Sequence, residues 1–189
     1  MKVENILKLH DIKGKVIAFP TDTVFGVGCK IDDEESLDRI FLLKERDFNK
    51  PLAVLVGSLE DAIALVDYLP PKAVELIKKY WPGALTIICK KSDIVPTFLN
   101  RGYKTIGLRM PNSGIALSIL RKFGPMAVTS VNISGKDALN TYEEIAEKFQ
   151  NKIDYIIESD EESSSVSSTV IEITDDKIKV IRQGDIFVE

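Results

Sequence analysis

The chain has 189 residues, 44% of them hydrophobic and 29% charged, with a formal net charge of −4. That balance belongs to one globular domain large enough to bury its own core, and it excludes disordered, fibrous and disulfide-scaffold classes. The acidic excess also argues against a broad basic face for gripping nucleic-acid duplex, while leaving room for a local cationic cleft around one small anion.

The first ten residues mix Lys2, Glu4 and Lys8 with Ile6, Leu7 and Leu9, unlike the unbroken apolar core of a signal peptide. A helix is expected there, carrying His10, the only histidine. Residues 15–19 (KVIAF) read as a short buried strand stopped by Pro20. From Asp32 a helix starts, with Asp32 or Asp33 as N-cap, Glu34 and Glu35 in the first turn, and Leu37, Ile40 and Phe41 on one face. A strand over 52–56 precedes helices over about 59–68 and 71–80, the second opened by Pro71. Strands follow at 85–89 and 105–110, then helical spacing through Ile115, Leu117, Ile119 and Leu120, then a strand at 126–129. Thr141 and Glu144 form a T-x-x-E capping box that opens another helix. Three strands close the chain at 155–157, 169–173 and 177–181, the last two joined by a turn at Thr174-Asp175-Asp176. Between them the acidic, serine-rich stretch 159–168 cannot pack a core and is expected to be a mobile connector or a lid. The alternation of elements predicts a single α/β domain, 1–189, around a mixed sheet.

Apolar runs such as 40–43 and 53–56 fall far short of the roughly 20 residues that a membrane span needs. No membrane association is expected, and the cytoplasm is the expected compartment. Cys29 and Cys89 form no C-x-x-C pair and read as small buried hydrophobes in a reducing compartment. A lone histidine leaves no histidine triad or multi-histidine metal site. Any chemistry therefore rests on Lys, Arg, Ser, Thr, Asn and carboxylates.

Thr21, Asp22 and Thr23 follow the first strand, with Gly26 and Gly28 beyond, where an α/β protein places either a structural turn or a ligand site. No dinucleotide fingerprint is present, because Ile31 stands where a third glycine is needed. No Walker loop exists either, since Ser130 and Asp137 break the pattern around Gly135-Lys136. Lys44, Arg46 and Lys50 cluster at a helix end, either as a dipole-stabilised solvated terminus or as an anion site. If the chain is extended after Lys44, residues 44 and 46 point the same way and grip one phosphate together. Ser130 and Asn132 lie two apart at a strand end, as a turn or facing one ligand. Arg109 and Arg182 end apolar strands, as surface residues or as carboxylate and phosphate forks.

In order along the chain, PTDTVFGVG at 20–28, KERDFNKPL at 44–52, WPGALT at 81–86, TIGLRMP at 105–111, TSVNISG at 129–135, SSTVIEI at 167–173 and VIRQG at 180–184 resemble the YrdC/Sua5 family. The resemblance spans nearly the whole chain. It implies a twisted mixed sheet with helices and a concave basic cleft. Family members condense L-threonine, bicarbonate or CO2, and ATP into threonylcarbamoyl-AMP and pyrophosphate, with Mg²⁺ accompanying ATP and no protein ligands assigned to the metal. The group then passes, through a downstream threonylcarbamoyl transferase complex, to adenosine 37 of tRNAs reading codons that begin with A. A weak contact with tRNA itself is part of that expectation.

Carried over by position, the family's K-x-R and S-x-N signature falls on Lys44, Arg46, Ser130 and Asn132 as catalytic residues. The resemblance places Thr23, Arg109 and Ser168 on L-threonine, and Arg46, Lys50, Thr105, Ser130 and Arg182 around the nucleotide. Phe25 replaces a common Tyr, Val131 an Ala and Gln183 a Pro, while Ala138 stands where some members carry a nucleotide-contacting Ser. Ending at Glu189, the chain is expected to lack the second domain of the long Sua5 form and the added domains of the carbamoyl-transferring hydrogenase maturation proteins. The alternatives are an RNA-binding YrdC-like protein, or a paralogue acting on another amino acid or acceptor.

Overall fold

A computed structural model describes residues 1–161, 163–173 and 177–188. The strands are β1 (Ile17–Phe19), β2 (Gly26–Lys30), β3 (Ala53–Leu55), β4 (Leu85–Lys90), β5 (Thr105–Arg109), β6 (Met126–Ser130), β7 (Tyr155–Ile156), β8 (Thr169–Ile173) and β9 (Ile178–Arg182). They form one mixed sheet in the order β7-β1-β2-β6-β3-β5-β4-β8-β9, parallel at β7-β1, β3-β5 and β4-β8 and antiparallel elsewhere. The helices are α1 (Val3–Ile6), α2 (Glu34–Lys44), α3 (Leu59–Ala64), α4 (Pro71–Tyr80), α5 (Gly114–Phe123) and α6 (Tyr142–Phe149).

Because side chains alternate across a strand, β1, β3 and β6 feed two cores. Val16 and Ala18, Val27, Val54 and Ala127 join Leu37, Phe41, Leu76 and Phe149 on the face covered by α2, α4 and α6. Ile17, Phe19, Leu55, Met126 and Val128 join Ile6, Ala116, Ile119 and Leu120 on the face covered by α1 and α5. Burial on both faces is why these strands are continuous apolar runs. The buried cysteines serve the first core, and burial pushes their thiols up to about 12 for Cys29 and about 11 for Cys89, as inert hydrophobes.

The expected caps are present. Asp33 accepts from Ser36 N–H at the start of α2, and Thr141 with Glu144 closes the capping box of α6. Three expectations need correction. His10 lies beyond α1, which ends at Ile6. The helix expected over 59–68 stops at Ala64, because Val66 pairs instead with Lys91 in a β-bridge. Strand β2 was not expected, since Gly26 and Gly28 break the strand signal. A Cβ on Gly28 would sit 2.6 Å from Ala127 O in the adjacent β6, so close strand pairing demands the glycine there. The turn expected at 174–176 lies outside the described residues.

No helix among the described residues is long and apolar enough to cross a membrane.

Candidate active site

α5 covers only part of its face of the sheet. Over the rest, a cleft of about 430 Å³ opens on the strands themselves. The alternation that feeds the core also lines this cleft: Thr86 and Ile88 of β4 and Thr105, Gly107 and Arg109 of β5 face it, while Leu85, Ile87 and Leu108 are buried in the core. Arg46, Arg109 and Arg182 line it, and among the described residues no carboxylate does.

Arg109 is 6% exposed and held on three sides. Its Nε donates to Gly83 O at 3.0 Å, Nη1 to Thr23 Oγ1 at 2.7 Å and Nη2 to Asp22 Oδ1 at 2.5 Å. Burial pulls its pKa down from the ordinary arginine value, Asp22 opposes that pull, and Arg182 adds to it. Asp22 is itself oriented by the Asn112 N–H at 3.0 Å. The WPG turn thus supplies a carbonyl and the PTDT segment a hydroxyl and a carboxylate, so the guanidinium arrives at the cleft already charged and aimed. Of the five N–H donors of an arginine, these contacts use three and leave two for a ligand.

A second group forms where Ser168, just before β8, meets Arg182 at the end of β9. Arg182 donates to Ser168 O at 2.8 Å and 3.0 Å and to Ser168 Oγ at 3.1 Å, while Ser168 Oγ lies 2.9 Å from Thr86 Oγ1. Gly184 makes this possible, because a Cβ there would lie 2.3 Å from Ser167 O.

The K-x-R and S-x-N segments meet, but not as two cations on one phosphate. α2 ends at Glu45 in a left-handed conformation (φ 51°), so the chain reverses instead of extending, and residues 44 and 46 diverge. Lys44, 1% exposed, turns away from the cleft into the 130–132 turn. Its Nζ donates to Ser130 O at 2.5 Å, to Asn132 O at 2.9 Å and to Asn132 Oδ1, which also accepts from Ser130 Oγ at 2.8 Å. Lys44 O accepts from Ser134 N–H at 2.8 Å. Burial and nearby Arg46 pull the ammonium down to about 8, and the three oxygen acceptors hold its charge. Arg46 does reach the cleft, with Nε donating to Lys50 O at 3.0 Å and Nη2 to Pro51 O at 3.3 Å.

The structure therefore brings Thr23, Arg46, Thr105, Arg109, Ser130, Ser168 and Arg182 to one cleft. Lys44 and Asn132 sit behind it as the frame of the turn that presents Ser130. Lys50 is exposed and Ala138 half-buried, and neither is among the lining residues. Thr86 and the Gly83 carbonyl were not singled out as site groups from sequence. Asp22 was read only as part of a polar segment, a turn or a ligand site, and not as the partner of Arg109.

Glu161 and Ser164 of the serine-rich stretch bond to the rest of the domain. Glu161 accepts from Ser113 Oγ at 2.6 Å and from Ile115 N–H at 3.1 Å at the start of α5, and Ser164 N–H donates to Asp22 O at 3.1 Å.

The Sua5/YciO/YrdC family model, described as "Telomere recombination", matches residues 12–184. The chain belongs to the Sua5/YciO/YrdC family. Similar proteins include a threonylcarbamoyl-AMP synthase of Pyrococcus abyssi, 38% identical over 94% of this chain and 52% of its own length. The chain thus spans about half the length of that relative. A threonylcarbamoyl-AMP synthase of Vibrio parahaemolyticus is 31% identical over 91% of this chain and 94% of its own length. The crystal structure of P. abyssi Sua5 complexed with L-threonine superposes with a TM-score of 0.86 at 39% identity, covering 90% of this chain and 51% of that one. The single-domain mixed α/β sheet is thus the Sua5/YciO/YrdC fold.

Proposed function

We propose that this chain is a threonylcarbamoyl-AMP synthase: it joins L-threonine, bicarbonate or CO2, and ATP into threonylcarbamoyl-AMP and pyrophosphate. The observation that carries the reading is the convergence, in one cleft, of Arg109, Thr23 and Ser168 with Arg46, Ser130, Thr105 and Arg182, drawn from separate strands and loops. Relatives that carry the synthase name, and a relative that binds L-threonine, support the same reading.

The chemistry suits the lining. Threonine's amine and CO2 give a carbamate, whose oxygen attacks the α-phosphorus of ATP as pyrophosphate leaves. Anion meets anion, so cations must sit where charge develops. Arg109, with two donors unspent, takes the threonine carboxylate as a bidentate fork. Arg46 and Arg182 face the phosphates, and Ser130, held by the Lys44 and Asn132 frame, orients them. Fixing both reactants on one rigid sheet face supplies the entropic share of the rate gain.

Among the described residues no cluster of three or more His, Cys, Asp or Glu is arranged to hold a metal. A cleft lined by arginines fits a Mg²⁺ that arrives on the phosphates of ATP, where it neutralises part of their charge. The product would pass to a threonylcarbamoyl transferase complex that modifies adenosine 37 of tRNA in the cytoplasm.

Incubation with ATP, L-threonine, bicarbonate and Mg²⁺, followed by mass spectrometry for threonylcarbamoyl-AMP and a pyrophosphate assay, tests the reading. Pyrophosphate release that needs all four components supports it. Release at the same rate without threonine, or none from well-folded protein, overturns it.

A further inference from the structure

Two loop segments line the cleft next to each other in the wall that carries Arg46: Arg46, Pro51 and Leu52 from one, and Leu99, Asn100 and Thr105 from the other. Both are loop or strand-end backbone, so something must set their separation. Asn100 organises the second segment, its amide nitrogen donating to Tyr103 O at 2.5 Å and to Thr105 O at 2.9 Å.

The first segment has few ties outside itself. Lys50 N–H and Asn49 N–H both bond Asp47, and Arg46's side chain bonds Lys50 O and Pro51 O. Two backbone bonds at its start, Glu45 N–H to Leu42 O and Arg46 N–H to Phe41 O, lead back to α2. The seat of this loop therefore decides where the Arg46 guanidinium points.

Arg101, the residue after Asn100, joins the two segments. Its guanidinium carbon lies 5.1 Å from the Phe41 ring centroid and 5.2 Å from that of Phe48, and the two rings stack at 5.0 Å with planes 16° apart. Its Nη2 pairs with Asp38 of α2. Two unfavourable features accompany this placement. Arg101 has φ +51°, a conformation that long side chains rarely adopt, and its buried Nε has no hydrogen-bond partner. Such strain persists only where surrounding contacts over-determine it, and here those contacts are the cation–π pair and the ion pair.

We propose that Arg101 is a positioning residue that clasps the 45–51 loop, through Phe48, against α2 and the 99–105 segment, and so presents Arg46 to the nucleotide. The inference rests on the reading that this cleft binds ATP. Phe48 is 40% exposed, so its ring contributes to the clasp more than to the core. When the clasp is loosened, the loop samples seats in which Arg46 is withdrawn, and ATP must select the competent fraction. The affinity falls by that fraction, while turnover at saturating ATP recovers because bound ATP restores the seat.

The test compares wild type with Phe48→Leu, Arg101→Ala and Arg101→Lys. The expected result is faster amide exchange over residues 47–50 without ligand in the first two variants. With it comes a KM for ATP raised about tenfold, with kcat and the KM for threonine within about twofold of wild type, the scale of losing one or two desolvated cation–π contacts. Arg101→Lys, which keeps a cation but not the planar stack, should fall between. Unchanged exchange and unchanged ATP affinity in both Phe48→Leu and Arg101→Ala would overturn the clasp, as would a fall in kcat with KM unaltered. If Arg101→Ala does not fold, Phe48→Leu decides alone. If wild type makes no threonylcarbamoyl-AMP, the proposed function fails, while exchange over 47–50 and calorimetric ATP binding still decide the clasp.

Discussion

Replacing Lys44 by Met keeps the length of the side chain and removes only its ammonium. That ammonium serves Ser130 O, Asn132 O and Asn132 Oδ1. Hydrogen bonds to a charged group net about 1.5–3 kcal/mol each, so the three together are worth roughly 5–9 kcal/mol. Against this, methionine escapes the desolvation of a buried ion, a cost of several kcal/mol. Ser130 and Asn132 are only half-buried, so water can replace part of what is lost. The difference is a loss of about 2 kcal/mol, which for a chain of this size lowers Tm by about 4–8 °C. Because the turn that presents Ser130 then slackens, turnover should also fall, by about 10²-fold, as for a misplacement of about 1 Å. Calorimetric unfolding and the pyrophosphate assay read the two effects. A pH series adds a signature specific to this group. The folded value of about 8 lies below the ordinary 10.5, so between those limits the unfolded chain holds more protons. Stability contributed at Lys44 therefore rises with pH across that window, and the gap between wild type and Lys44→Met should widen toward pH 10. A variant that unfolds within a degree of wild type and turns over normally would refute this account of the K-x-R lysine as the frame of the S-x-N turn.

Arg46→Ala should behave differently from Lys44→Met: turnover drops roughly 10²- to 10³-fold, as on loss of one transition-state charge stabiliser, while Tm moves little, since its bonds stay within one exposed loop. A Tm loss equal to that of Lys44→Met would contradict it. Arg109→Ala leaves the Asp22 carboxylate without its ion pair in a buried site and should destabilise the fold by about 3–5 kcal/mol, with Asp22→Asn in the same chain restoring part of it. If the double variant is as unstable as the single one, Asp22 is not the unpaired charge. Glu161→Gln removes the charge docked at the start of α5, a contribution of about 0.3–1 kcal/mol, so amide exchange over 163–168 should speed by about two- to fivefold. In wild type, ATP with threonine should slow exchange across 159–168. Equal, fast exchange with and without ligands would leave that segment a connector and no lid.

Much of the architecture was legible locally. Acidic first turns with Asp33 and Thr141 as caps, proline at the start of α4, and apolar runs buried on both faces are each set by neighbours within four residues, so pattern and propensity suffice. β2 was lost because its glycines answer to a strand 100 residues away, and α3 was overextended because Val66 is claimed by Lys91. The site divides the same way. The order of motifs along the chain carried the family resemblance, and the resemblance nominated Thr23, Arg46, Thr105, Arg109, Ser130, Ser168 and Arg182. Which of the nominated groups face the cleft was decided by folding. A left-handed Glu45 turned Lys44 from a phosphate grip into a turn frame and left Lys50 outside, and Asp22, Thr86 and the Gly83 carbonyl joined through contacts that span up to 87 residues. Backbone reversal and long-range hydrogen bonding have no local signature, since the partner that satisfies a buried polar group is selected by tertiary packing.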